Sequence, residues 1–335
     1  MASWSTYVQG FLYIALLFFF IPIKINGPDK VETQFQQYLT TFNKSYDDPE
    51  EYLNKLQAFK LSLETIELLN SNKTNTSAQY GLTKYSDLLP EEFVSNHLYA
   101  NLSQRLSLHH SRPQRVERRF SVPGKIDWRD KHVVTEVHDQ GTCGACWAYA
   151  VVETIETMKA IKTNKTEDFS VQEIIDCAGN NNNGCDGGDT CSLLAWMTYT
   201  NFTLLRERDY VRKNHQCNPG SMEGVKLDSY ICESFVGREQ IMLRLLAENG
   251  PLAVAINAQT WQNYVGGVIE YHCDGDAGKL NHAVQIVGYD LTASIPYYIV
   301  RNSWGPDFGN GGYLYIAVDK NMCGVANEVS ALTVL

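Results

Sequence analysis

The densest chemistry of the chain lies in Gln140-Gly141-Thr142-Cys143-Gly144-Ala145-Cys146-Trp147-Ala148-Tyr149. Cys146 stands where a glycine-containing loop meets an apolar, helix-spaced segment. A thiol at a helix N-terminus sits at the positive end of the helix dipole, which favours the thiolate and lowers its pKa. A thiolate that attacks a carbonyl still needs a cationic partner and donors for the oxyanion. His282 follows 136 residues later, and Asn302 another 20. The Asn302 amide oxygen is suited to accept from the imidazole and fix its tautomer. The Gln140 side-chain N–H is suited to an oxyanion, beside the backbone N–H of Cys146. A lone histidine is usually structural. A glycine-loop cysteine, a distant histidine and Asn302-Ser303-Trp304-Gly305 occurring together make chance improbable.

Cys143 and Cys146 form a CxxC pair with two rival uses. A redox pair needs the first strand of a βαβ unit before it, and none is legible. A zinc site needs a second Cys or His pair at suitable spacing, which is missing. The reading carries no metal and no cofactor.

These residues must be held by elements. Trp147, Ala150, Val151, Thr154, Ile155 and Met158 recur at helical spacing and predict a helix over 146–162. Ser170-Val171-Gln172-Glu173 reads as a capping box opening a helix towards Cys177. Residues 190–199 and 238–248 also suit helices, and Asn249-Gly250-Pro251 ends the second. Beyond it, 252–256, 282–289, 297–301 and 313–318 are short apolar or β-branched runs that predict strands. The C-terminal two-thirds is helical first and strand-rich second, which predicts an α+β fold of two packed halves with a cleft between them. Ahead of it, residues 29–71 read as helical. Tyr52, Leu56, Phe59, Leu63, Ile66 and Asn70 fall on one face, and Pro90-Glu91-Glu92 opens a further short helix.

Composition bounds the function. The net charge of −10 makes non-specific nucleic-acid binding unfavourable. Residues from 121 onward hold 16 Lys+Arg against 26 Asp+Glu, so the acidity belongs there. Phe11–Ile23 is an apolar run of 13, too short to span a bilayer and suited to a secretory signal, with Gly27 as the expected last residue removed. No stable membrane insertion is expected. All nine cysteines follow residue 121, which in a secreted chain predicts disulfides and one leftover thiol. Sequons at Asn43, Asn72, Asn75, Asn101, Asn164 and Asn201 agree with secretory passage. Arg118-Arg119, in a basic polar stretch, is a plausible nicking site.

The sequence resembles the papain family of cysteine proteases. Cys146, His282 and Asn302 carry the resemblance. So do Ile126-Asp127-Trp128-Arg129, similar to the family's mature N-terminus, and Cys185-Asp186-Gly187-Gly188, similar to its Cys-Asn-Gly-Gly turn. Asn281-His282-Ala283-Val284 resembles the histidine strand, and Asn302-Ser303-Trp304-Gly305 the asparagine motif. In the pro-region, Glu51, Phe59, Ile66 and Asn70 fall on the interspersed ERFNIN pattern, with Lys55 and Ser62 as departures. Gly81-x-Thr83-x-Tyr85-x-Asp87 is similar to Gly-x-Asn-x-Phe-x-Asp. Ala145 and Tyr149 depart from the family near the nucleophile without removing a catalytic group.

What the resemblance implies is a two-domain papain-like fold: a helical left domain, a β-barrel-like right domain and an active-site cleft, preceded by a helical inhibitory propeptide. It implies residues 1–27 as signal peptide, 28–120 as propeptide and 121–335 as mature peptidase. Catalysis falls to Cys146, His282, Asn302 and Gln140. Substrate binding falls to Gly187, Gly188, Asn281, Trp304 and Glu328, with Trp304 shielding the Asn–His bond. Glu328, fifth after Cys323, stands at the floor of the S2 pocket, where one member of the family carries Glu; its own alternative is an ordinary surface position. Disulfides are implied at Cys143–Cys185, Cys177–Cys217 and Cys273–Cys323. Cys191 and Cys232 remain, either as a fourth bridge, which is favoured, or as two buried thiols. No insertion near Cys177–Cys185 is long enough to occlude the cleft, so an endopeptidase is expected. It would be a monomer of the secretory pathway, lysosomal or extracellular, acting on protein and peptide substrates with its propeptide as inhibitor. The runner-up is a catalytically silent papain-fold protein that binds peptides.

Overall fold

A computed structural model of the chain describes residues 30–71, 77–98, 122–211, 216–218 and 223–335. The expected signal segment, Arg118-Arg119 and the sequons at Asn72, Asn75 and Asn101 lie outside these residues. Two compact units divide the chain, Met1–Pro49 and Glu50–Leu335.

The first unit contains helix α1 (Lys30–Thr41), which buries Phe35, Tyr38 and Leu39, one turn apart. The span 29–71, expected to be helical, is interrupted here. Asn43 takes a left-handed φ of 51°, and the Lys44 N–H caps the Leu39 carbonyl. Helix α2 (Pro49–Asn70) restarts with Pro49 at its head and Glu50 and Glu51 in its first turn, where the dipole favours acids.

In the second unit, α2 buries Leu56, Ala58, Phe59 and Ser62. Asn70 clamps the short strand β1 (Gln79–Tyr80): its amide donates to the Tyr80 carbonyl at 2.8 Å and accepts from the Tyr80 N–H at 3.2 Å. Helix α3 (Pro90–His97) follows, joined to α2 by Lys55 and Glu92 at 2.6 Å. Next come β2 (Lys125–Asp127), α4 (Cys146–Thr163), α5 (Val171–Cys177) and α6 (Thr190–Tyr199). After β3 (Leu204–Leu205), β4 (Gly224–Val225) and β5 (Leu227–Glu233) comes α7 (Glu239–Glu248). The chain ends with β6 (Leu252–Ile256), β7 (Tyr264–Gly266), β8 (Val268–Ile269), β9 (His282–Asp290), β10 (Tyr297–Arg301), β11 (Tyr313–Ala317) and β12 (Glu328–Val334).

The eight-stranded sheet runs β5-β12-β6-β9-β10-β11-β8, with β2 also on β9. Every pairing is antiparallel except β11 with β8. Two apolar cores result. One joins Trp147, Val151 and Ile155 of α4 to Ile174, Leu193, Leu194 and Met197 of α5 and α6. The other packs Met242, Leu243 and Leu246 of α7 on β6, β9, β10 and β11, and takes in Tyr80, Tyr85, Phe93 and Leu98 from the segment before residue 99. The fold is thus α+β, helix-rich then sheet-rich. The expected capping box at α5 is half made. Ser170 accepts from the Glu173 N–H, but the Glu173 carboxylate turns to the Leu205 N–H at 2.7 Å, where β3 needs a partner.

Candidate active site

Cys146 is the first residue of α4 and is 3% exposed. The loop before it is drawn tight by Cys143–Cys185 and by the Gly144 N–H, which donates to the Cys185 carbonyl at 2.9 Å. A Cβ on Gly144 would lie 2.5 Å from that same carbonyl oxygen, so only glycine lets the two loops touch. Gln140 is fixed at both ends of its amide. Its Oε1 accepts from Ser303 Oγ at 2.6 Å, leaving Nε2 as the donor, to the Cys143 carbonyl at 2.9 Å and the His97 carbonyl at 3.4 Å.

His282 opens β9, 0% exposed, with Nε2 2.8 Å from Asn302 Oδ1. That oxygen can only accept, so the proton sits on Nε2 and Nδ1 is the basic nitrogen. Among the described residues nothing hydrogen-bonds Nδ1. The Ala283 N–H, one residue on from His282, reaches the Cys146 sulfur. Trp304 covers the histidine, ring to ring at 4.8 Å, and Trp261 meets it edge-on at 5.9 Å. In so dry a setting the Asn302–His282 bond is strengthened.

The charges run against the expectation of a lowered thiol pKa. Burial pushes Cys146 up to about 11, and hydrogen bonds from the Ala283, Trp147 and Cys146 backbone only partly oppose it. Burial likewise lowers His282 to about 4, against the raising effect of Asn302. The helix N-terminus is present, but desolvation outweighs it, and the neutral thiol–imidazole pair is favoured over the ion pair.

The cover comes from residues 77–98. Tyr85, Phe93 and His97 pack round Trp304 at ring distances of 5.9, 5.3 and 6.4 Å. His97 Nδ1 donates to the Gly141 carbonyl at 3.0 Å, and Lys84 pairs with Asp139 at 2.6 Å. Thr83 Oγ1 donates to the Gln262 carbonyl at 2.6 Å, and Ser86 Oγ to Asn263 Oδ1 at 2.6 Å. Gln262 Nε2 returns to the Tyr85 and Leu88 carbonyls at 2.9 and 2.8 Å.

The remaining candidates fall around this centre. Gly187 and Gly188 are buried, and the Gly187 carbonyl accepts from the Asn183 N–H at 2.9 Å. A Cβ on Gly188 would lie 2.5 Å from the Trp147 ring. Asn281 is turned inward, its Oδ1 accepting from the Ala258 N–H at 2.8 Å. Glu328 is 4% exposed, which removes the surface alternative. Its carboxylate accepts from Thr190 Oγ1 at 3.0 Å, two residues past Gly188. Burial, then the neighbouring Asp189, hold its carboxyl well above the usual range. Asp189, Cys191 and Glu328 bring possible ligand atoms within 4.8 Å of one another, but the Cys191 sulfur is bonded to Cys232, leaving two carboxylates. The other bridges are Cys177–Cys217 and Cys273–Cys323, and Cys146 is the free thiol. Sequence reasoning missed Ser303, which orients Gln140, and His97, which touches the loop before Cys146. Ser303 lies within Asn302-Ser303-Trp304-Gly305, where its type alone does not point to Gln140. Nothing local marks His97, because its contact spans 44 positions.

Residues 122–333 match the family described as papain family cysteine protease, and residues 35–93 the cathepsin propeptide inhibitor domain (I29). The protein named Cathepsin O from Homo sapiens is 40% identical over 287 residues, covering 83% of this chain and 87% of its own. Among solved structures, the proform of the ragweed pollen allergen Amb a 11 superposes with a TM-score of 0.78 at 27% identity, covering 90% of this chain and 92% of its own. Procathepsin L 3 of Tenebrio molitor larval midgut gives 0.75 at 28%, covering 91% and 99%.

Proposed function

The chain belongs to the papain family of cysteine proteases, and from that premise we propose the part each residue plays. The protein is a cathepsin-like thiol protease with its own propeptide as inhibitor, a zymogen acting on protein substrates.

In the open enzyme, the Cys146 sulfur attacks the scissile carbonyl carbon while its proton resides on His282 Nδ1. The oxyanion takes the Gln140 Nε2–H and the Cys146 backbone N–H. As the C–N bond breaks, His282 returns the proton to the leaving amine. Water, deprotonated by His282, then attacks the thioester, and the carboxylic acid leaves with the thiol restored. Asn302 holds the imidazole in the tautomer this needs. The observation that carries the reading is the 2.8 Å His282–Asn302 bond beneath Trp304, with the Cys146 sulfur at the Ala283 N–H. Replacing Cys146→Ser should abolish peptide hydrolysis; wild-type rates in that variant would refute the assignment. A peptide-binding but silent protein is separated by labelling with an epoxysuccinyl probe after the pro-segment is removed, since only a reactive thiol is consumed.

The finer reading follows from the same site. Residues 1–27 act as signal, 28–120 as propeptide and 121–335 as the mature enzyme, a monomeric endopeptidase of the lysosome or the extracellular space. Gly188 pairs with the substrate backbone, and Glu328 floors the S2 pocket. The support for S2 is its burial and its bond to Thr190, beside the Gly187-Gly188 turn. A buried carboxyl without a cation favours a guanidinium that supplies one. Activity on an Arg-Arg substrate should therefore fall relative to Phe-Arg in Glu328→Ala; an unchanged ratio sinks the S2 placement.

A further inference from the structure

Two buried charges lie below the site and take no part in the steps above. Glu153, two turns after Cys146 on α4, is 1% exposed, and Arg301, directly before Asn302 at the end of β10, is 0% exposed. Their side chains meet at 3.4 Å, Arg301 Nη2 to Glu153 Oε1. His138 brings a third polar group to that oxygen, its Nδ1 at 3.3 Å.

The strand bearing His282 joins the same network. Gln285, three residues after His282, pairs directly across the sheet with Arg301. Its Nε2 donates to the Glu153 carbonyl at 3.0 Å and to Thr157 Oγ1 at 3.1 Å, both on α4. Its Oε1 accepts from Arg301 Nη1 at 3.4 Å. Arg301 also donates to Thr135 Oγ1 at 3.1 Å and to the Glu136 carbonyl. Thr135 Oγ1 donates in turn to Glu156 Oε2 at 2.6 Å, back on α4. One guanidinium thus ties α4, β9, β10 and the 135–138 segment together; α4 and β9 carry Cys146 and His282, and Asn302 directly follows β10.

Stability does not account for such a pair. Desolvating two ions costs more than their attraction usually returns, and apolar side chains of similar volume do as well or better. What directional, charge-assisted hydrogen bonds add over apolar packing is a fixed geometry. We propose that Glu153 and Arg301, bridged by Gln285, are positioning residues for peptide hydrolysis: they lock the helix bearing Cys146 in register with the strand bearing His282 and with the end of β10, which leads directly into Asn302. This rests on reading those three as the reacting set. A thiol and imidazole that drift by about 1 Å can lose about 10²-fold in rate, so the lock acts on chemistry while leaving substrate contacts alone.

The test uses the full chain, activated in trans by a trace of exogenous protease, with active sites counted by the epoxysuccinyl probe. Arg301→Lys keeps the charge and loses the fork. The double variant Glu153→Leu/Arg301→Met removes both charges at similar volume. Expected in each is a kcat at least about tenfold lower with KM within about twofold. The pH profile of Cys146 alkylation by iodoacetamide should be displaced, and the melting temperature kept. Wild-type kcat and alkylation profile in the folded variants would overturn the proposal. So would a kcat that falls only in step with the melting temperature while the profile stays put, since that marks a merely structural pair. If the double variant does not fold, Arg301→Lys decides alone. A wild-type thiol that the probe does not consume would instead defeat the assignment of Cys146 itself.

Discussion

The Gln140 amide is held before any substrate arrives, with Ser303 on its oxygen and the Cys143 and His97 carbonyls on its nitrogen. Losing the His97 carbonyl on activation frees one donor direction without disturbing the amide's orientation. Gln140→Ala should therefore lower kcat about 10²–10³-fold, the usual loss for one oxyanion donor, with little change in KM; steady-state kinetics on a dipeptidyl amide checks this. At this scale the sequence was informative where chemistry is written in residue type. A cysteine, a histidine, an asparagine and a glutamine can be recognised as a set. The sign of the thiol pKa could not be read, because it depends on how much water residues 77–98 exclude, and no local pattern records that. Glu153 and Arg301 carry a legible signal: each is an ion within an apolar run, and an ion there needs a partner.

Among the elements, the turn of Cys185 to Asp189 leaves no room for a side chain at Gly188. With a Cβ only 2.5 Å from both the Trp147 ring and Asn182 Oδ1, Gly188→Ala must shift either the α4 tryptophan or the turn. The expected cost is about 1–3 kcal/mol, as for overpacking elsewhere, read from chemical denaturation. A larger fall in kcat/KM should accompany it, because the same turn borders the site. Helices were legible in the sequence to within a residue or two wherever one face was apolar, as in α4 and α6. The strand β12 was not foreseen: Glu328-Val329-Ser330-Ala331-Leu332-Thr333-Val334 mixes buried polar and apolar residues, since it lies between β5 and β6 with both sides covered. Within the helical span 29–71 the break between α1 and α2 has no glycine to mark it: Asn43 in the left-handed region stops the helix as a glycine would.

Over the whole molecule, acid should favour release of the pro-segment. His282 is lowered to about 4 and His97 is lowered as well, both chiefly by burial. A buried neutral histidine stabilises the closed state fully above its ordinary pKa of about 6.5, and that contribution is lost as pH falls towards the depressed value. Glu156 and Glu173, raised by burial to about 7, have the opposite sign: their contribution is complete in acid and lost as pH rises through about 7. They bond to Thr135, Phe169 and Leu205, outside the pro-segment, so they leave its release to the histidines. Appearance of activity should accelerate as pH drops from about 6.5 to 4, and His97→Phe should slow it several-fold at pH 5; equal rates for variant and wild type would exclude His97 from the response. The covered thiol has one more consequence, for the chain's own assembly. Cys146 lies three residues from Cys143 in a protein that must close four bridges correctly. Only a thiolate attacks a disulfide, and burial in the closed state pushes the Cys146 thiol well up, away from the thiolate form. The pro-segment that withholds the nucleophile from substrates thereby keeps it from scrambling the bridge next door.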